Sequence, residues 1–141
     1  MGKIIILVCA IILSSCNTEP EAIKFGKSSC DYCMMTIMDR KFGAELITAK
    51  GKKMKFDSGE CMLRYIKSQN NLKIGKVFVI NYANPEELID AEKAVYVHGG
   101  NVNSPMGGKL ACFKTKEDED KFLKEMAADE LSWEELTKLS F

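Results

Sequence analysis

The chain has 141 residues, 46% of them apolar and 28% charged, with 20 Lys and Arg against 20 Asp and Glu. That size and balance describe one compact domain, or two very small units sharing a core, and exclude a disordered chain. A formal charge of zero leaves no basic excess to neutralise phosphates, so no nucleic-acid partner is expected.

The N-terminus carries an address. Lys3 precedes an unbroken apolar run from Ile4 to Leu13, short of the about 20 residues a membrane span needs and suited to the core of a signal peptide. The run ends in Leu13-Ser14-Ser15-Cys16, which resembles the bacterial lipobox. The resemblance implies cleavage after residue 15 and acylation of Cys16. The expected location is the extracytoplasmic side of a membrane, in the periplasm or at the outer membrane of a Gram-negative cell. Several acyl chains on one residue anchor stably, where a single chain is marginal. Residues 17–29 are polar and read as the end of a tether over 16–29, leaving 30–141 as the folded part.

Next along the chain comes CDYCMMTIM (30–38), five of whose nine residues carry sulfur. FGAELITAKGKKMKF (42–56) predicts two strands about a Lys50-Gly51-Lys52 turn. Asp57-Ser58-Gly59-Glu60 opens a helix with Met62, Tyr65 and Ile66 on its buried face. KVFVINYA (76–83) is the strongest strand signal, rich in Val, Ile and aromatic residues. Asn84-Pro85-Glu86-Glu87 has the residues of a helix start. AVYVHGG (94–100) and KLACF (109–113) predict strands, and DEDKFLKEM (118–126) a helix with Phe122, Leu123 and Met126 inward. The acidic run 117–120 reads as a solvated helix start. Ser132-Trp133-Glu134-Glu135 has capping-box spacing and opens a last short helix through Leu139. The succession strand, strand, helix occurs twice, over 42–68 and 94–127. The predicted fold is therefore α+β, two small similar ββαβ-like units packed together, divided roughly as 30–83 and 84–141.

Four cysteines remain once Cys9 goes with the signal and Cys16 to lipid: Cys30, Cys33, Cys61 and Cys112. Cys61 opens a helix, where a thiolate is favoured, yet reads more simply as a small buried residue, as does Cys112. The other conspicuous stretch is VHGGNVNSPMGGKL (97–110), with the only histidine, His98, and with Met106 set in a Gly/Pro turn. Thiolates and thioethers together select Cu(I) over harder ions. Cys33 and Met35 share a face if their segment is extended, and Met106 offers a third soft donor. Two alternatives stay open. One is a thiol–disulfide redox lipoprotein working through Cys30 and Cys33. The other is structural zinc on Cys30, Cys33, Cys61 and Cys112, with His98 able to replace one thiolate.

Three stretches together, CDYCMMTI (30–37), KFDSGECMLRYI (55–66) and IDAEKAVYVHGGNVNSPMGGKLACF (89–113), resemble the NosL family, lipoprotein accessory factors of nitrous-oxide reductase. The resemblance implies two similar small α/β units and a Cu(I)-binding chaperone, not an enzyme. It also implies nitrous-oxide reductase and its maturation machinery as partners. The family's Cys-Gly-Met motif falls on Cys33-Met34-Met35 and its Ser-Pro-Met-Gly methionine on Met106, so the implied donors are Cys33, Met35 and Met106. Met34 replaces the usual glycine; Cys30, Met34 and His98 are the auxiliary candidates.

Overall fold

The computed structural model describes residues 18–141, so the expected signal peptide and the expected lipidation site at Cys16 lie outside the described residues. AELIT forms strand β1 (Ala44–Thr48), buried from Ala44 to Ile47, which pairs antiparallel with β2 (Lys53–Phe56). On one face of this hairpin Leu46 stands opposite Met54, and Ala44 opposite Phe56. Helix α1 (Gly59–Ser68) covers that face with Met62, while Tyr65 brings its ring 5.4 Å from that of Phe56. The chain then returns as β3 (Ile74–Ile80) on the other edge of β1.

Residues 84–87 do not start a helix. Glu86 has φ of 73° and the Glu87 N–H donates to the Asn84 carbonyl, so Pro85 and Glu86 occupy the corners of a tight turn. A left-handed residue cannot propagate a helix. The following Leu88-Ile89-Asp90, centred on the β-branched Ile89, instead forms β4 on the free edge of β3, with Ile89 opposite Val79, giving a sheet ordered β2-β1-β3-β4.

The second unit repeats the path. β5 (Val95–His98) pairs antiparallel with β6 (Leu110–Phe113), α2 (Lys116–Met126) follows, and β7 (Asp129–Leu131) returns to the other edge of β5. Both units are ββαβ with the first strand central, ordered β2-β1-β3 and β6-β5-β7. The α+β expectation of two similar units is met at the level of topology. Helix α3 (Trp133–Lys138) closes the chain through the predicted capping box, Ser132 and Glu135 each bonding the other's backbone. The acidic run is not wholly solvated, because Glu119 is fully buried and bonded to Lys116 at 2.5 Å.

The two units share their core. Tyr96 of β5 belongs to the cluster built on Leu46, Phe56 and Met62, whereas its neighbour Val97 faces a second cluster with Phe42, Phe113 and Met126. β5 is thus buried on both faces. Part of the segment assigned to the tether also packs here. The Glu21 N–H donates to both oxygens of the buried Glu45 carboxylate at 3.0 and 3.1 Å, and Ile23 joins the core. Among the described residues, the two core clusters draw on both units, from Ile23 near the start to Leu136 in α3.

Gly100 holds the second unit together at close quarters. Its φ is +51°, and a Cβ there would lie 2.2 Å from the carbonyl oxygens of Met126 and Ala127 at the end of α2. Gly100→Ala should therefore lower unfolding stability by at least about 2 kcal/mol, whereas Gly99→Ala, with positive φ but open space, should cost about 1 kcal/mol. Denaturant midpoints of the two variants check this; equal midpoints would show that the close approach carries no cost.

Candidate metal centre

The sulfur-rich stretch is a tight turn, not an extended segment. The Met34 N–H donates to the Cys30 carbonyl at 3.0 Å, winding residues 30–33 into one turn that Met34 ends at φ of 65°. Met35 then runs back antiparallel, its carbonyl accepting from the Cys30 N–H at 2.8 Å. Asp31 fixes the turn to the edge of β2. Its N–H donates to the Lys55 carbonyl at 2.8 Å, and its carboxylate accepts from the Lys55 N–H at 2.7 Å.

This turn faces the start of α1. Ser58 caps the helix by accepting from the Cys61 N–H at 3.3 Å, which places Cys61 in the first turn with its thiol toward the cysteine loop. The sulfurs of Cys30, Cys33 and Cys61 lie within 4.8 Å of one another. All three are free thiols; Cys30 and Cys61 are fully buried and Cys33 is partly open.

Their protons are not equivalent. The Cys61 thiol donates to Cys30, and backbone N–H groups of Cys33, Asp57 and Tyr32 add to it, outweighing burial and holding Cys30 down at about 5. Cys61, as the donor to that thiolate, is pushed far up, and Cys33 is raised mainly by burial. Asp57 beside them is pushed up to about 6, first by burial and then by the Cys30 charge. Proton loss is therefore favoured first at Cys30, while Cys33 and Cys61 keep their protons to higher pH.

The second conspicuous stretch docks on the same helix end through Glu60. This fully buried carboxylate accepts from the Ser104 hydroxyl and, at 3.2 Å, from the Leu110 N–H, while Ser104 in turn accepts from the Lys109 N–H at 2.9 Å. Gly108 packs so tightly on Glu60 that a Cβ would come within 2.4 Å of its side chain. Ser104-Pro105-Met106 is thereby held beside α1. Met35, half exposed, lines an open cleft of about 370 Å³ with Asp57, Ser104 and Pro105, the residues leading into Met106. Met106 itself is half-buried against the same core as Cys33.

The remaining candidates fall elsewhere. Met34 is 73% exposed on the rim. His98 ends β5 with its ring edge-on to Phe141, and Cys112 is buried on β6; neither belongs to the thiol cluster. Sequence reasoning undervalued Cys61, although its place at a helix start was legible, and passed over Glu60 and Asp57, which read only as helix-start residues.

Fold and site together define a protein of two ββαβ units with three thiols clustered at the start of α1 and a methionine-bearing turn held at the same helix end. The chain belongs to the NosL family, whose model matches residues 22–140. It is similar in fold to the crystal structure of the copper chaperone NosL from Shewanella denitrificans. The TM-score is 0.74 at 21% identity, over 85% of this chain and 96% of that one. The comparison with curated proteins gave no match.

The proton assignment has a direct readout. Ultraviolet thiolate absorbance of the metal-free protein should show about one thiolate per chain at neutral pH, lost as pH falls through about 5 and absent in Cys30→Ser. Folding releases this proton between that pH and the usual thiol range. The Cys30 contribution to stability is therefore complete above that range and disappears on acidification through about 5. Asp57 acts oppositely, its contribution present below the usual carboxylate range and lost as pH rises through about 6. A pocket with no thiolate at neutral pH would contradict the assignment.

Met34 pays for its left-handed backbone with strain that glycine avoids. Met34→Gly should raise unfolding stability by about 1 kcal/mol, read from the denaturant midpoint; a loss of stability would mean the Met34 side chain makes contacts that outweigh the strain.

Proposed function

We propose that this chain is a copper(I) carrier, held by lipid at Cys16 on the extracytoplasmic side of a membrane. The observation that carries the reading is the convergence of three thiols at α1 with a methionine-bearing turn docked beside them. Thiolates and thioethers are the donors that bind Cu(I) in preference to harder ions. The fold neighbour is itself a copper chaperone.

Cys33 is the natural point of entry, because it is the one thiol of the three that is open to solvent. In this reading Cys33, Met35 and Met106 are the donors to the cargo ion, with the Cys30 thiolate and the Cys61 thiol behind them. Binding at Cys33 displaces a proton, so affinity rises with pH. Two features suit release as well as capture. Thioethers are neutral and exchange readily, and Met34, Met35 and Met38 stand 73%, 47% and 66% exposed around the mouth. An incoming protein can therefore offer its own soft ligand before the carrier lets go. The recipient in this account is nitrous-oxide reductase, reached through its maturation machinery. The protein acts as a carrier, without catalytic turnover.

Anaerobic titration with Cu(I) against a competing chelator tests the proposal. Wild-type protein should compete effectively, with Cys33→Ser and Met106→Ala each weakening binding by at least about a hundred-fold, the loss of one soft donor from a low-coordinate site. Unchanged affinity in both variants would overturn the donor assignment. A reversible Cys30–Cys33 dithiol couple with no Cu(I) affinity would establish the redox reading instead.

A further inference from the structure

The chain is neutral overall but strongly polar in its layout. Thirteen of the 20 acidic residues and only seven of the 20 cations lie from residue 86 onward. The first unit carries the opposite excess, concentrated at one end. Between Thr48 and Lys76 there are eight cations and two acidic residues, and those two, Asp57 and Glu60, are buried. Lys50, Lys52, Lys73 and Lys76 are exposed and have no ion-pair partner among the described residues.

These lysines are gathered by topology. Lys50 and Lys52 sit on the β1–β2 turn, and Lys73 on the connection from α1 to β3, which meets that turn where the Ala49 N–H donates to the Lys73 carbonyl at 2.8 Å. Lys50, Lys52 and Lys73 line one open hollow of about 430 Å³ with Thr48, Asn71 and Leu72. Beside it Ile74 is 41% exposed, the one large apolar side chain outside residues 32–38 to be so exposed among the described residues.

We propose that this end of the first unit docks on an anionic bilayer surface. Clusters of four to eight basic residues near a lipid anchor are attracted to anionic headgroups, each adding to the affinity. Lysine is depleted from protein–protein interfaces, so an all-lysine patch around an apolar tip fits headgroups better than a protein face. Distance permits it. Four residues lie between Cys16 and Glu21, a span of five residue steps to where the chain is fixed to Glu45. At about 3.4 Å per residue that reach equals the run from Glu45 to the hairpin tip.

Docking has an orienting consequence. α1 runs from the thiol pocket at its N-terminus to the lysine end at its C-terminus, and its 10 residues span about 15 Å. With the lysines on the bilayer, the sulfur mouth faces away from it, toward soluble partners.

Co-sedimentation of the chain from residue 18, which contains both cores, tests this without the acyl anchor. The probes are vesicles of phosphatidylcholine alone and of phosphatidylcholine with phosphatidylglycerol. Binding should be at least about ten-fold stronger to the anionic vesicles and weaken with added salt. The exposed triple variant K50E/K52E/K73E should lose that preference, while K121E/K124E/K138E, equal in charge change but on the second unit, should keep it within about two-fold. Equal binding to both vesicle types, equal losses in the two triple variants, or capture by polyglutamate without vesicle binding would each overturn the proposal. Cu(I) affinity of K50E/K52E/K73E should match the parent. A parent that bound no Cu(I) would sink the carrier reading and leave the vesicle result standing.

Discussion

The structure depends on what four consecutive residues do at the start of α1. Ser58 caps the helix, Gly59 leaves room for Leu110, Glu60 captures the Ser104–Leu110 loop, and Cys61 donates its thiol to Cys30. The Glu60 carboxylate is the joint between the two units. Hydrogen bonds to a charged group contribute about 1.5–3 kcal/mol each, and one left unmade in the interior costs more than it would have contributed. Because one oxygen of Glu60 takes both Ser104 and Leu110, the methionine turn cannot leave α1 without stripping this fully buried carboxyl of those partners. Sequence segments more than forty residues apart are thereby registered on a single helical turn.

That arrangement sacrifices some stability for chemistry. An apolar side chain at position 30 or 61 would pack without the desolvation that three clustered sulfurs and Asp57 impose. Met34 is held left-handed where glycine would sit without strain, and among the described residues five large apolar side chains are left exposed, four of them from Tyr32 to Met38. Local rules fail together at one place, as they do at functional sites. The pocket answers its own electrostatic difficulty in part. Backbone N–H groups and the Cys61 thiol spread the Cys30 charge, so a single negative charge is accommodated beside buried acids.

Much of this was legible in the residues. The strand pair about the Lys50-Gly51-Lys52 turn, the Val- and Ile-rich run KVFVINYA, the helix starts at 57–60 and 132–135, and the repeat of strand, strand, helix foretold the duplicated ββαβ fold. The Asn84-Pro85-Glu86-Glu87 turn was misread because the same residues serve helix starts and tight turns, and only the free edge of β3 decides between them. β7 gave no signal, since three residues of DEL acquire strand geometry solely by pairing with β5. At the site, Cys30 and Cys33 announced themselves by spacing. Cys61 did not, because a cysteine on a buried helix face looks the same whether or not other thiols await it. Glu60 was equally silent: a helix-start glutamate is ordinarily solvated, and its burial here follows from a loop about fifty residues later.

The donors around the cargo ion decide between a sulfur carrier site and any other. X-ray absorption at the copper edge of the Cu(I)-loaded chain reads that environment directly. An all-sulfur first shell, retained in His98→Ala and diminished in Met106→Ala, is the result expected if Cys33 and the docked methionine turn hold the ion together. A shell containing nitrogen or oxygen, or one indifferent to position 106, would contradict it.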